Sequence, residues 1–149
     1  MNENRCSWCG TDPLYMAYHD MEWGVPVYDD QKLFEFLILE NFQAGLSWIT
    51  VLRKRENFRR AFDEFDYKKV GQYGDKKYNE LINNAGIIRN KLKIKAAISN
   101  ANAFMNVQKE FGSFANYIWG FVYGVPVQNA WKSDDEIPAT TPVSDAISK

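Results

Sequence analysis

Three groups of residues in this chain have types and spacings that suit chemistry. The first is Glu40 and the stretch behind it, Asn41-Phe42-Gln43-Ala44-Gly45-Leu46-Ser47-Trp48. A carboxylate beside Phe42 and Trp48 loses part of its water and needs a hydrogen-bond donor as partner. Gln43-Ala44-Gly45-Leu46 adds a small, flexible backbone and one apolar tip next to a stacking surface. The bland alternative is a helix-end glutamate solvated at the surface, the commoner fate of this residue type. The second group is aromatic: Tyr15, Tyr18, Trp23 and Trp48. Core packing is the ordinary use of such rings. However, Tyr18, His19, Asp20, Glu22 and Trp23 mix polar and aromatic groups more densely than a plain core helix does. The third group is Cys6 and Cys9, a C-x-x-C pair, with His19 beyond. These are zinc-ligand types at workable spacing, but they are three where a closed structural site takes four. The alternatives are two reduced thiols near a turn with a hydrogen-bonded histidine, or an open hydrolytic zinc site.

Charge adds a fourth element. The chain carries 18 basic and 19 acidic residues, so a generally basic nucleic-acid coat is excluded and only a local basic face remains. Arg53, Lys54, Arg55, Arg59 and Arg60 surround a single Glu56, and Arg89, Lys91, Lys93 and Lys95 follow one another with no acid between them. On a helix, 89/93 and 91/95 are i,i+4 pairs, and such a face suits phosphates when it is not simply solvated.

Helices must position these groups. Leu33, Phe34, Leu37 and Ile38 repeat with helical period behind Asp29-Asp30, a suitable start. Trp48, Val51, Leu52 and Arg55 continue the period, which predicts a helical hairpin joined at Asn41 to Gly45. Ile94, Ala97, Ile98 and Ala101 predict a long helix reaching Phe111 before Gly112. Phe114, Tyr117, Ile118 and Phe121 predict another, ending at Gly124-Val125-Pro126. Residues 128–141 read as a loop. Thr141-Pro142 reads as an N-cap with proline in the first turn, so the chain is expected to stop early in a helix. No stretch alternates as a strand does. With 149 residues and 46% apolar content, one all-α folding unit spanning 1–149 is expected, with room for two lobes. No run approaches a membrane span, and no apolar segment follows the first five residues as a secretory leader would. A reduced, cytoplasmic protein with no membrane partner is expected.

Several blocks resemble the DNA-3-methyladenine glycosylase I family of helix-hairpin-helix base-excision enzymes. They are Asp12-Pro13-Leu14-Tyr15, Tyr18-His19-Asp20-Met21-Glu22-Trp23-Gly24-Val25-Pro26, Gln43-Ala44-Gly45-Leu46-Ser47-Trp48, Lys54-Arg55-Glu56-Asn57 and Ala85-Gly86-Ile87-Ile88-Arg89. The resemblance implies a helix-hairpin-helix glycosylase-like fold lacking the C-terminal hairpin element. It implies a base pocket built from Glu40, Tyr18, Trp23 and Trp48, with Trp8 and Tyr15 nearby. Glu40 and Tyr18 would hydrogen-bond an extruded base, Trp48 would stack on it, and Gln43, Ala44, Gly45 and Leu46 would fill the gap left in the duplex. The family's zinc would engage Cys6 and His19, with Cys9 as an extra ligand. The implied partners are double-stranded alkylated DNA and free 3-methyladenine as product, acted on by a monomer. The implied activity is hydrolysis of the glycosidic bond to 3-methyladenine. The alternative is a module that binds methylated adenine or DNA without turnover.

Overall fold

The structure, a computed structural model, describes residues 4–149. It is all-helical among these residues and divides into two compact units. No helix among them is long and apolar enough to cross a membrane.

One unit spans Val27–Phe114. It contains α2 (Asp30–Gln43), α3 (Trp48–Arg53), α4 (Arg55–Ala61), α5 (Tyr67–Val70), α6 (Asp75–Ile82) and α7 (Lys91–Phe111), which follow α1 (Pro13–Met21) of the other unit. Asp29 caps α2 by accepting from Lys32 N–H at 3.0 Å. Phe34, Ile38 and Phe42 then recur at i,i+4 spacing and, with Leu39, are fully buried. They meet Ile94, Ala97, Ala101 and Phe104 of α7 in one apolar core. Aromatic rings dominate that core. Phe104 lies 5.2 Å from Phe34 and 4.4 Å from Phe114, and Phe42 lies 4.9 Å from Phe58, all centroid to centroid. α5 packs on α7 so closely that a Cβ on Gly71 would lie 2.8 Å from Met105 Cε and 2.9 Å from Asn102 Oδ1. Glycine there is a matter of space.

The predicted hairpin forms, with two differences. α2 runs on to Gln43, so the connection is 44–47 rather than Asn41 to Gly45. The expected helix through Trp48 and Arg55 breaks at Lys54, whose backbone sits at φ −97°, ψ 0°. α4 then buries Phe58 and Ala61 in the core beside Phe62. Between α4 and α5 the chain turns through Asp63, Glu64 and Phe65, all left-handed at φ 52°, 55° and 56°. Such residues cost about 1–2 kcal/mol each outside glycine. Here complete burial of Phe65 and bonds from Tyr73 Oη to Asp63 Oδ2 (2.5 Å) and from Gln31 Nε2 to Glu64 O (2.8 Å) offset that cost.

The other unit spans Met1–Pro26 and Ala115–Lys149, described from residue 4 onward. It holds a 3-10 turn at Ser7–Cys9, α1, most of α8 (Phe114–Gly120), a 3-10 turn at Asp134–Glu136 inside the predicted loop, and α9 (Pro142–Ser148). Asp12 caps α1, accepting from Leu14 and Tyr15 N–H ahead of Pro13. Thr141 caps α9 as expected, with Ser144 completing a reciprocal capping box.

Candidate active site

The site residues named from sequence fall into two groups, one in each unit. In the α1 unit, Trp8 lies 5.2 Å from Tyr15, 6.3 Å from Tyr18 and 5.5 Å from Trp23. Tyr18 is buried, whereas Trp8 and Trp23 remain exposed. Burial, with Cys9 nearby, pushes the Tyr15 phenol up, so it keeps its proton as a donor at neutral pH. His19 organises this cluster. Its ring stacks on Trp23 at 5.6 Å with planes 13° apart and meets Trp8 edge-on at 5.3 Å. His19 Nε2 accepts from Cys6 N–H (3.3 Å), which leaves the ring proton on Nδ1, 3.0 Å from Asp20 Oδ1. Asp20 is in turn gripped by Arg5, whose Nε and Nη2 donate to both carboxylate oxygens. The bonds from Arg5 first, then from His19, hold the Asp20 carboxyl down to about 2. Trp23 also faces a cleft of about 590 Å³ shared with Trp131, Lys132 and Ile137.

The Cys9 thiol is buried and donates to Cys6 O at 3.2 Å. Among the described residues no three His, Cys, Asp or Glu groups converge as metal ligands. Cys6 and His19 are neighbours, and Asp20 orients the imidazole as a carboxylate does behind a metal ligand. Two ligands are too few for a tetrahedral structural zinc, so the residues present do not fit a closed site.

In the α2–α7 unit, Glu40 lies in the last turns of α2 and Trp48 opens α3. The Glu40 side chain reaches solvent, yet its surroundings exclude enough water to push the carboxyl above the usual range; desolvation is the cause. Trp48 is half-buried against the core. The segment between them is a type II turn. Ala44 takes φ −51°, ψ 121°, Gly45 takes φ +80°, and Leu46 N–H donates to Gln43 O at 2.7 Å. Gly45 is required by that positive φ alone, since a Cβ there would meet nothing. Gln43 Nε2 donates to Leu46 O at 2.6 Å, closing the turn a second time. Leu46 stands at the tip, 37% exposed.

The basic clusters are only partly free for phosphate. Arg59 is engaged with Glu35 (Nε to Oε1, 2.5 Å) and with Glu56. Lys95 lies 5.5 Å over the Tyr78 ring. Lys93, read from sequence as part of a basic face, donates instead to Phe42 O (2.9 Å) and Ala44 O (2.6 Å). Neither this tether nor the Arg5–Asp20 pair has a signature in sequence, because each joins residues separated along the chain by several helical turns or more.

The model of the methyladenine glycosylase family matches residues 8–149. This chain belongs to that family. Its similarity to "DNA-3-methyladenine glycosylase 1" of Escherichia coli is 48% identity over 145 residues, covering 97% of this chain and 78% of that protein. Two solved structures extend the likeness to three dimensions. A crystal structure of 3-methyladenine DNA glycosylase I superimposes with a TM-score of 0.92 at 50% identity, covering 97% of this chain and 79% of the other. A structure concerned with 3-methyladenine recognition by 3-methyladenine DNA glycosylase I from Staphylococcus aureus superimposes with a TM-score of 0.93 at 32% identity, covering 97% and 77%. The all-helical fold expected from sequence is thus the fold of this methyladenine glycosylase.

Proposed function

We propose that this chain hydrolyses the N-glycosidic bond to 3-methyladenine in alkylated double-stranded DNA, acting on a base flipped out of the duplex. The observation that carries the reading is the stretch 40–48 of a methyladenine glycosylase. Within one compact unit, a partly desolvated carboxylate and an indole bracket a doubly closed turn with an exposed apolar tip.

Methylation at N3 makes the base cationic, so it leaves with little help from a general acid. The protein's work is then extrusion, recognition and shielding. Flipping costs a few kcal/mol, less for a damaged base. Insertion of Leu46 and its neighbours into the vacated stack holds the duplex open. Stacking on Trp48 returns about 1–3 kcal/mol per base, and positive charge over an indole adds to that. The ionised Glu40 accepts from the exocyclic N6 amine of adenine. Guanine places the acceptor O6 there and would be repelled, leaving a desolvated carboxylate unpaired. In the other unit, Tyr18, Trp8, Tyr15 and Trp23 form an aromatic cluster of the kind that receives a flat base.

The test is release of 3-methyladenine from methylated duplex DNA, followed chromatographically. The chain is expected to release it and Glu40→Gln to lose at least about a hundredfold in rate, as an essential recognition contact does, while keeping its helical circular dichroism. Release at the uncatalysed rate by the unaltered chain, or full release by Glu40→Gln, refutes the reading.

A further inference from the structure

A helix ends with carbonyls that have no partner inside it, and glycine in the left-handed conformation is the usual remedy. α2 ends otherwise. Its C-cap Ala44 is extended, and Gly45 is spent on the type II turn. The missing donor comes from α7. The Lys93 ammonium spans to Phe42 O and Ala44 O, the last turn of α2 and the first corner of the turn. Lys93 is itself set by the α7 N-cap, where its N–H donates to Asn90 Oδ1 at 3.0 Å. Its charge also opposes the negative end of the α2 dipole.

We propose that Lys93 is a positioning residue for the 43–46 turn, holding it before DNA arrives in the shape that enters the duplex. The inference rests on the reading above that this turn fills the gap left by the flipped base. Two ties act together: Gln43 closes the turn on itself, and Lys93 fastens it to α7. Ordering the tip in advance removes an entropy cost from duplex binding. Lys93 therefore acts on DNA engagement without touching the base.

The experiment compares Lys93→Met, Lys93→Gln, Lys93→Arg and Leu46→Ala. Single-turnover release of 3-methyladenine is measured against duplex concentration at several salt concentrations, with free 3-methyladenine binding measured separately. Hydrogen exchange at the Leu46 amide reports the turn itself. Lys93→Met and Lys93→Gln are expected to raise the half-saturating duplex concentration about tenfold, the scale of one lost preorganising tie. They should leave the maximal rate and free-base affinity within about twofold, and exchange at Leu46 should quicken. Lys93→Arg, which keeps charge and donors, should restore most of the loss. The salt slope should stay unchanged, because a direct phosphate contact would lower it by about one. A slope lower by one, or unchanged duplex binding and unchanged exchange in both neutral variants, overturns the proposal. If Leu46→Ala weakens duplex binding and the neutral Lys93 variants do not, Lys93 fails and the turn's role stands. If Leu46→Ala has no effect, the turn's role fails and the proposal fails with it.

Discussion

In its proposed role Glu40 acts in the ionised state, whereas its surroundings raise the cost of ionising it. Desolvation lifts its carboxyl above the usual range, so it takes up a proton at a higher pH than an ordinary glutamate. The ionised form accepts from an N6 amine more strongly than the protonated one. Base binding should therefore fall on the acid side, beginning above the pH at which free glutamate titrates. The same group predicts the opposite sign for stability. A carboxyl whose folded value is raised favours folding only while protonated, and that advantage is lost as pH rises through the folded value. Thermal unfolding of Glu40→Gln against the unaltered chain should show the variant more stable at neutral pH, with the gap closing as pH falls below the ordinary carboxylate value. A gap that widens on acidification would contradict the assignment. His19 shows the reach of sequence reasoning at this scale. Its place beyond Cys6 and Cys9 leaves a zinc ligand and a hydrogen-bonded histidine both open; in three dimensions its two nitrogens engage Cys6 N–H and Asp20, and its ring meets Trp8 and Trp23.

Elements were legible where periodicity and caps agreed. Asp29, Phe34 and Ile38 announced α2, Ile94 to Phe111 announced α7, and Thr141-Pro142 announced α9. The break at Lys54 was not legible, since Val51, Leu52, Arg55 and Phe58 continue one helical period across it. Nor was the turn at 63–65. No glycine or asparagine marks it; Tyr73, Gln31 and the buried Phe65 impose it from outside. That turn carries a prediction. Glu64 sits at φ 55° and glycine is at ease there. Glu64→Gly should stabilise the chain by about 0.5–1 kcal/mol, read as a midpoint raised by about 2–3 °C in thermal unfolding. A lowered midpoint would show that the Glu64 side chain matters more than its backbone.

At the scale of the molecule, net charge of −1 gives no overall attraction to DNA. Engagement must come from local groups, and several basic residues already have partners within the protein. Each unit holds a different set of the candidate residues. The α2–α7 unit buries a phenylalanine core beneath Glu40, the turn and Trp48, and the α1 unit assembles Tyr15, Tyr18, His19 and Trp23 around Trp8. The blocks that carry the family resemblance contain Tyr15, Tyr18, Trp23, the turn and Trp48. The ties that hold them, Lys93 to α2 and Arg5 to Asp20, became visible only in three dimensions. The measurement that tests the central claim most directly is calorimetric titration of the chain with free 3-methyladenine and, in parallel, 3-methylguanine. Glu40 and Trp48 together predict binding of the adenine alone, weakened at least about tenfold in Trp48→Ala by loss of stacking. Equal affinity for the two bases, or unchanged affinity in Trp48→Ala, would contradict it.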